Sequence, residues 1–185
     1  MNSAEVAPER IVTTPPVATV SRRVAAYLLD GAFAALIQAI AGGVILGTIA
    51  THNARVDAVE AFFLQSAVGI TYFVLTWTQS GASPGQQLLG VRTLAYEDGR
   101  FLSRRQALER WAWLYGPEAV GRLVGAISTS TPTGLYYIGL VVYALVLYRT
   151  TSTDPLRRGL HDRQSGSVVM GPAFAGAASP AVTRP

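Results

Sequence analysis

In a chain of 185 residues that is 50% hydrophobic and 14% charged, ionisable side chains inside apolar runs are the first places where chemistry is expected. Asp30 is the sole ionisable residue among the 26 positions 24–49. A carboxylate at that depth is costly unless it is paired, hydrated or protonated. It is therefore either an ion- or proton-coupling group or a polar tie that fixes helix packing. Arg23 lies seven residues earlier on nearly the same helical face. The axial offset of ~10 Å is too long for a simple ion pair, so Asp30 needs a third partner.

Glu118 and Arg122 form a second intramembrane pair, spaced i, i+4 so that each can neutralise the other. Pro117 just before them would kink or interrupt a helix and free a carbonyl, as in helices that line a cavity or re-enter. The other reading is an interfacial helix ending at Tyr115, with both charges among the headgroups. His161 and Asp162 have the residue types of a metal-binding dyad, but the one other histidine, His52, is expected on the opposite side of the membrane. No metal site is expected on that basis. The absence of cysteine excludes disulfides, thiolate zinc sites and a thiol nucleophile. Gly81-Ala-Ser-Pro-Gly85 has turn chemistry without the Lys-Ser/Thr of a phosphate loop, and no nucleophile elbow or dinucleotide fingerprint occurs. Neither an enzyme nor a cofactor is expected.

The elements that must position these residues follow from composition. A typical soluble domain carries roughly 25% charged residues, so the surplus apolar surface here calls for lipid. Residues 1–19 hold Pro8, Pro15 and Pro16 and no apolar run, and read as a disordered arm without the apolar core and cleavage site of a signal peptide. Residues 24–49, at ~1.5 Å per residue, are ample for a bilayer core. Residues 58–77 read as a second span with Tyr72 and Trp77 near its exit, where aromatics suit the headgroup boundary. Residues 78–110 are polar, and alternation at Val91-Arg92-Thr93-Leu94 followed by Asp98-Gly99 predicts a small surface hairpin. Residues 111–128 either cross or re-enter, crossing being favoured, and residues 132–148 form a last span. A tail over 171–185 is expected to be disordered. The resulting fold class is all-α: a polytopic transmembrane helical bundle of about four spans over residues 20–170, with a small cytoplasmic loop or hairpin.

All 15 basic residues are arginine, and they sort by segment. Three lie in the N-terminal arm, five in 78–110 and five after residue 148, so 13 fall in three segments that should share the cytoplasmic side. An even number of passes keeps both termini there, and the same sorting disfavours nucleic acid as a partner. Along the first span, Gly31, Ala35, Ala39, Gly43 and Gly47 place a small residue at every fourth position. Such a stripe lets another backbone approach closely, whether a neighbouring span or a second subunit.

Three stretches in order resemble the RDD family of bacterial membrane proteins, named for one arginine and two aspartates. They are Arg23-Val-Ala-Ala-Tyr-Leu-Leu-Asp30, then Gly81-Ala-Ser-Pro-Gly85-Gln-Gln-Leu-Leu-Gly90-Val-Arg92 with Asp98-Gly99 and Ser103-Arg104-Arg105-Gln106-Ala107-Leu108, and finally Arg158-Gly-Leu-His161-Asp162-Arg163-Gln-Ser-Gly166. The resemblance makes Arg23, Asp30 and Asp162 the family residues. It implies a multi-pass protein of the bacterial plasma membrane, for which transport, including sodium/proton exchange, has been suggested. Position 86, usually basic in that family, is Gln, which argues against an anion-binding role for this loop. The expected geometry is a cytoplasmic-side cluster of Arg23, Asp30 and Asp162 between the first and last spans.

Two functions fit these readings. In one, the chain is a small transporter or cation/proton exchanger coupled through Asp30, working as an oligomer, plausibly a dimer through the small-residue stripe. In the other, it is a non-transporting scaffold, assembly or regulatory subunit with a membrane-protein partner. In both, the lipid bilayer is its surroundings.

Overall fold

The computed structural model describes residues 16–49, 53–128 and 133–172. Four long helices dominate: α1 (Val20–Ile49), α2 (Ala54–Gln79), α4 (Arg104–Ile127) and α5 (Thr133–Thr153), with short α3 (Pro84–Leu88) and β1 (Arg92–Ala95) between α2 and α4, and α6 (Leu160–Gln164) and β2 (Ser167–Met170) after α5. Their starts are written locally. Asn53 accepts hydrogen bonds from the Arg55 and Val56 amides to begin α2, and Ser103 with Gln106 forms a reciprocal capping box at α4.

Neighbouring long helices run antiparallel. Trp77 of α2 meets Arg110 of α4, Phe73 meets Tyr115, and Gln65 meets Arg122. Tyr143 and Tyr136 of α5 meet Trp113 and Gly121 of α4 in the same reversed order. Four long antiparallel helices return the chain to one end, where α3, β1, α6 and β2 assemble a polar cap.

The cap holds the two buried apolar clusters. One gathers Phe73, Trp77, Ala95, Leu102 and Ala107, the other Ala18, Ala26, Val91 and Val169. Away from it the helices expose their apolar side chains, with Leu28, Val44 and Leu135 each about two-thirds accessible, as lipid-facing residues are in a bundle without its membrane. Three helices, Val20–Ile45, Ala54–Gln79 and Gly134–Thr153, are long and apolar enough to cross a bilayer. The segment expected to cross or re-enter, 111–128, is part of α4, which begins earlier, at Arg104, and carries six charged residues. Neither a break nor an end near Tyr115 occurs. Pro117 cannot donate to the Trp113 carbonyl one turn back, and the Tyr143 hydroxyl donates to that carbonyl instead, so the helix continues to Ile127.

Two other expectations are corrected. The strand at Arg92–Ala95 exists, but its partner is antiparallel β2, with Arg92 opposite Met170 and Ala95 opposite Ser167, rather than the chain just after Asp98-Gly99. The local turn closes only as far as the Ala95 amide bonding the Arg100 carbonyl, because Ser103 then commits the backbone to α4. Pro16 to Ala18, expected in the arm, and Gly171, expected in the tail, are instead held against the cap. Val17 bridges Met170, the Ala18 amide donates to Val169, and the Gly171 amide donates to Pro16. Residues 1–15 and 173–185, and His52, lie outside the described residues.

Candidate functional site

Two polar centres lie at the cap end of the bundle. The first is built on Asp162, a fully buried carboxylate in the first turn of α6. Arg23 Nη1 donates to its Oδ2 at 2.8 Å, and Arg110 Nη1, from α4, donates to its Oδ1. The Gly159 amide also donates to Oδ2 at 2.9 Å. Arg23 Nη2 reaches the Val169 carbonyl at 3.2 Å, and Arg110 Nη1 reaches Ser167 Oγ at 2.7 Å. One carboxylate thus joins α1, α4 and α6, and its guanidiniums carry the tie on into β2. Burial alone would raise the Asp162 carboxyl; the charges of Arg110 and Arg23 outweigh it and hold the group well below the usual carboxylate range. His161 beside it is pushed down to about 4, first by burial and then by the two arginines against the pull of Asp162. It is neutral at pH 7, so its 3.5 Å approach to Asp162 is no ion pair there.

The second centre is built on Asp30, buried in α1. Its Oδ2 accepts from Ser83 Oγ at 2.5 Å, and its Oδ1 accepts from the Gly85 amide at 2.8 Å and Tyr72 Oη at 3.0 Å. The carboxylate is held by neutral donors alone, with no ion pair among the described residues. Gly85 is what permits the approach: a Cβ there would stand 2.6 Å from the Ala26 carbonyl and 2.9 Å from the Asp30 carboxyl carbon. Gln86 is buried and fully used. Its Oε1 accepts from Trp77 Nε1 and the Ser83 amide, and its Nε2 donates to Thr93. Arg110 stacks over the same Trp77 ring at 5.1 Å, which links the two centres through an aromatic wall.

The expected cluster is therefore two sites. Arg23 and Asp162 meet, whereas Asp30 bonds to neither and instead fastens α1 to α3 and α2. The third partner of the ion pair is Arg110, which sequence reasoning counted with the topogenic arginines. Its signal was its place in a helix, three residues after Ala107 and directly before an aromatic run, on the face that packs inward. Glu118 and Arg122 do pair, at 2.6 Å, and Arg122 also donates to Gln65 Oε1 at 2.8 Å. Of the small-residue stripe, Gly31, Ala35, Ala39 and Gly43 are exposed, and a side chain at Gly31 or Gly43 would meet open space. The inward face of α1 is the adjacent row of Ala26, Asp30 and Ala34, chosen by the ties of Asp30. Gly47 lies in α1, its surroundings outside the description. Among the described residues no three His, Cys, Asp or Glu side chains converge as a metal site.

Antiparallel apolar helices closed at one end by an ion-paired polar cap define a polytopic α-helical membrane protein. The RDD family model matches residues 17–166, and the chain belongs to the RDD family. Neither a curated protein nor a solved structure matches it.

Proposed function

We propose that the chain is a small ion-coupled transporter in which Asp30 takes up a proton or a small cation. The observation that carries this reading is a buried carboxylate in a membrane-embedded helix with neutral donors and no basic partner among the described residues. Such a group can exchange one positive charge for another without breaking an ion pair. A cavity of about 450 Å³ borders Asp30, and a second of about 400 Å³ among α1, α2 and α4 is lined by Gln38, Gln65, Ser66 and Arg122. Tyr27, Leu28, Phe73, Tyr115 and Glu118 line both, so the two cavities share a wall in which Glu118 is the one ionised group beside aromatic and aliphatic side chains. Arg23, Arg110 and Asp162 then hold the cap rather than move charge. The concentration of arginine at the cap supports a cytoplasmic cap and cytoplasmic termini in a bacterial plasma membrane. Flux in vesicles tests the reading: wild type should carry a cation against a pH gradient and Asp30→Asn should not. Absence of flux, or equal flux in the variant, refutes it.

A specific observation favours the second reading, a scaffold or regulatory subunit. The row Gly31, Ala35, Ala39 and Gly43 is exposed, and among the described residues nothing lies within 4 Å of a side chain built at Gly31 or Gly43, which leaves this small-residue face open to another helix. Crosslinking in native membrane from a cysteine at Ala39 distinguishes the cases: a second copy fits the dimeric transporter, and one dominant other protein fits the scaffold.

A further inference from the structure

The charges of the cap cluster do not sum to zero. Arg110 is buried and Arg23 largely so, and the ion pairs they make among the described residues go to one carboxylate, Asp162. Glu118 is committed to Arg122, and Asp30 accepts from neutral donors away from both guanidiniums. Arg110 sends Nη1 to Asp162 and Ser167, while Nη2 makes no hydrogen bond among the described residues. A buried positive charge in excess is expensive unless an anion answers it.

The space for one adjoins it. The cavity of about 450 Å³ lies between α1, α4 and α5, and both Arg23 and Arg110 line it. Asp30 and Glu118 line it too, each already bonded elsewhere, and away from the cap its wall is apolar and aromatic, with Val24 and Leu28 from α1 and Leu140, Tyr143 and Leu147 from α5. Helix α5 touches α1 only lightly, so this cavity opens sideways, toward the acyl chains of the bilayer. Its volume falls in the range of about 300–1,000 Å³ typical of ligand sites. The order of chemistry along it, a basic end at the level of the cap and an apolar slot running away, is that of an amphiphile. A free inorganic anion would leave the slot unfilled, and a neutral lipid would leave the charge unanswered.

We propose that this cavity binds an acidic phospholipid, its phosphate against Arg110 and Arg23 and an acyl chain lying between α1 and α5. The site shares its cavity with Asp30, but a lipid-quenching readout does not depend on ion flux. Trp77 lines the cavity and supplies the reporter. The full chain carrying Trp111→Phe and Trp113→Phe, reconstituted in vesicles, keeps Trp77 as its one tryptophan. Brominated phosphatidylglycerol doped into a phosphatidylcholine host should quench it at a mole fraction at least fivefold lower than brominated phosphatidylcholine. Adding Ala144→Phe, which narrows the slot from α5 and leaves the cap residues untouched, should erase that preference. Equal quenching by the acidic and neutral lipids overturns the proposal, as does quenching by brominated stearate but not by phosphatidylglycerol. Loss of all quenching, the result expected if a second copy fills the slot, overturns it too, and so does a preference unchanged by Ala144→Phe.

Discussion

Asp162 joins α1, α4 and α6 through one carboxylate, which lies between the guanidiniums of Arg23 and Arg110. Removing its charge leaves Arg23 and Arg110 unanswered, and breaking a buried pair in this way costs about 3–5 kcal/mol. Asp162→Asn should therefore lower stability in detergent by that amount, read from denaturant or thermal unfolding. In a cycle with Arg23→Ala the two losses should be strongly non-additive. The neighbouring His161 sets the acid limb. Its folded value of about 4 lies below the roughly 6.5 of a free imidazole. Between those values the unfolded chain binds a proton that the folded chain does not, so stability rises with pH there and acidification from 6.5 to 4 weakens the fold. The sign for Asp162 is the same but its window is lower: its contribution is intact above the free carboxylate value near 3.9 and is lost as pH falls below it. Unfolding midpoints across pH should thus decline in two stages. His161→Gln should flatten the upper stage and leave the lower one.

At the scale of the elements, the junction of α4 and α5 depends on a proline. Pro117 withholds the amide that would have satisfied the Trp113 carbonyl, and Tyr143 of α5 donates to it instead. One helix thereby gives up a hydrogen bond of its own and gains a tie to its neighbour. Tyr143→Phe should cost about 1 kcal/mol, the net worth of one such bond. In a Pro117→Ala background, where the helix can bond the carbonyl itself, the same change should cost much less; equal costs in both backgrounds would show that the tie does not matter. The approach of α3 to α1 is set with the same economy by Gly85. Gly85→Ala places a methyl into the Ala26 carbonyl and the Asp30 carboxyl, and should destabilise by about 1–3 kcal/mol through forced separation of the two helices.

Across the whole molecule, four antiparallel helices bring Pro16, Asp98 and Gly171 to the same end, and the Pro16 carbonyl accepts directly from the Gly171 amide. Since the chain has no cysteine of its own, single cysteines report sidedness without background. Cysteines at Asp98 and Arg163, both exposed on the cap, should label from one side of the membrane. A cysteine at Arg55, at the start of α2, should label from the other. A cap split between two sides would refute an even number of membrane passes, with α4 as one of them.

Much of this was legible in the sequence, and the reason is locality. Apolar run length, the segregation of arginine and the i, i+4 spacing of Glu118 and Arg122 are each properties of a short window, so three long apolar helices and that pair could be read directly. Arg23, Asp30 and Asp162 were identifiable through the family resemblance. Their separation into two centres was not, because Arg23 and Asp162 meet across 139 residues and no periodicity records such an approach. For the same reason the strand at Arg92–Ala95 was visible but its partner was not: alternation marks a strand, while pairing is decided by what the fold brings alongside. Arg110 was hidden because an arginine near a helix start serves topology and ion pairing equally well until its neighbours are known. The sequence by itself determined a bundle of apolar helices with basic connections at one end. Only the tertiary structure decided which helix face turns inward, which arginine answers Asp162 and what holds Asp30, since each depends on burial shared between segments distant along the chain.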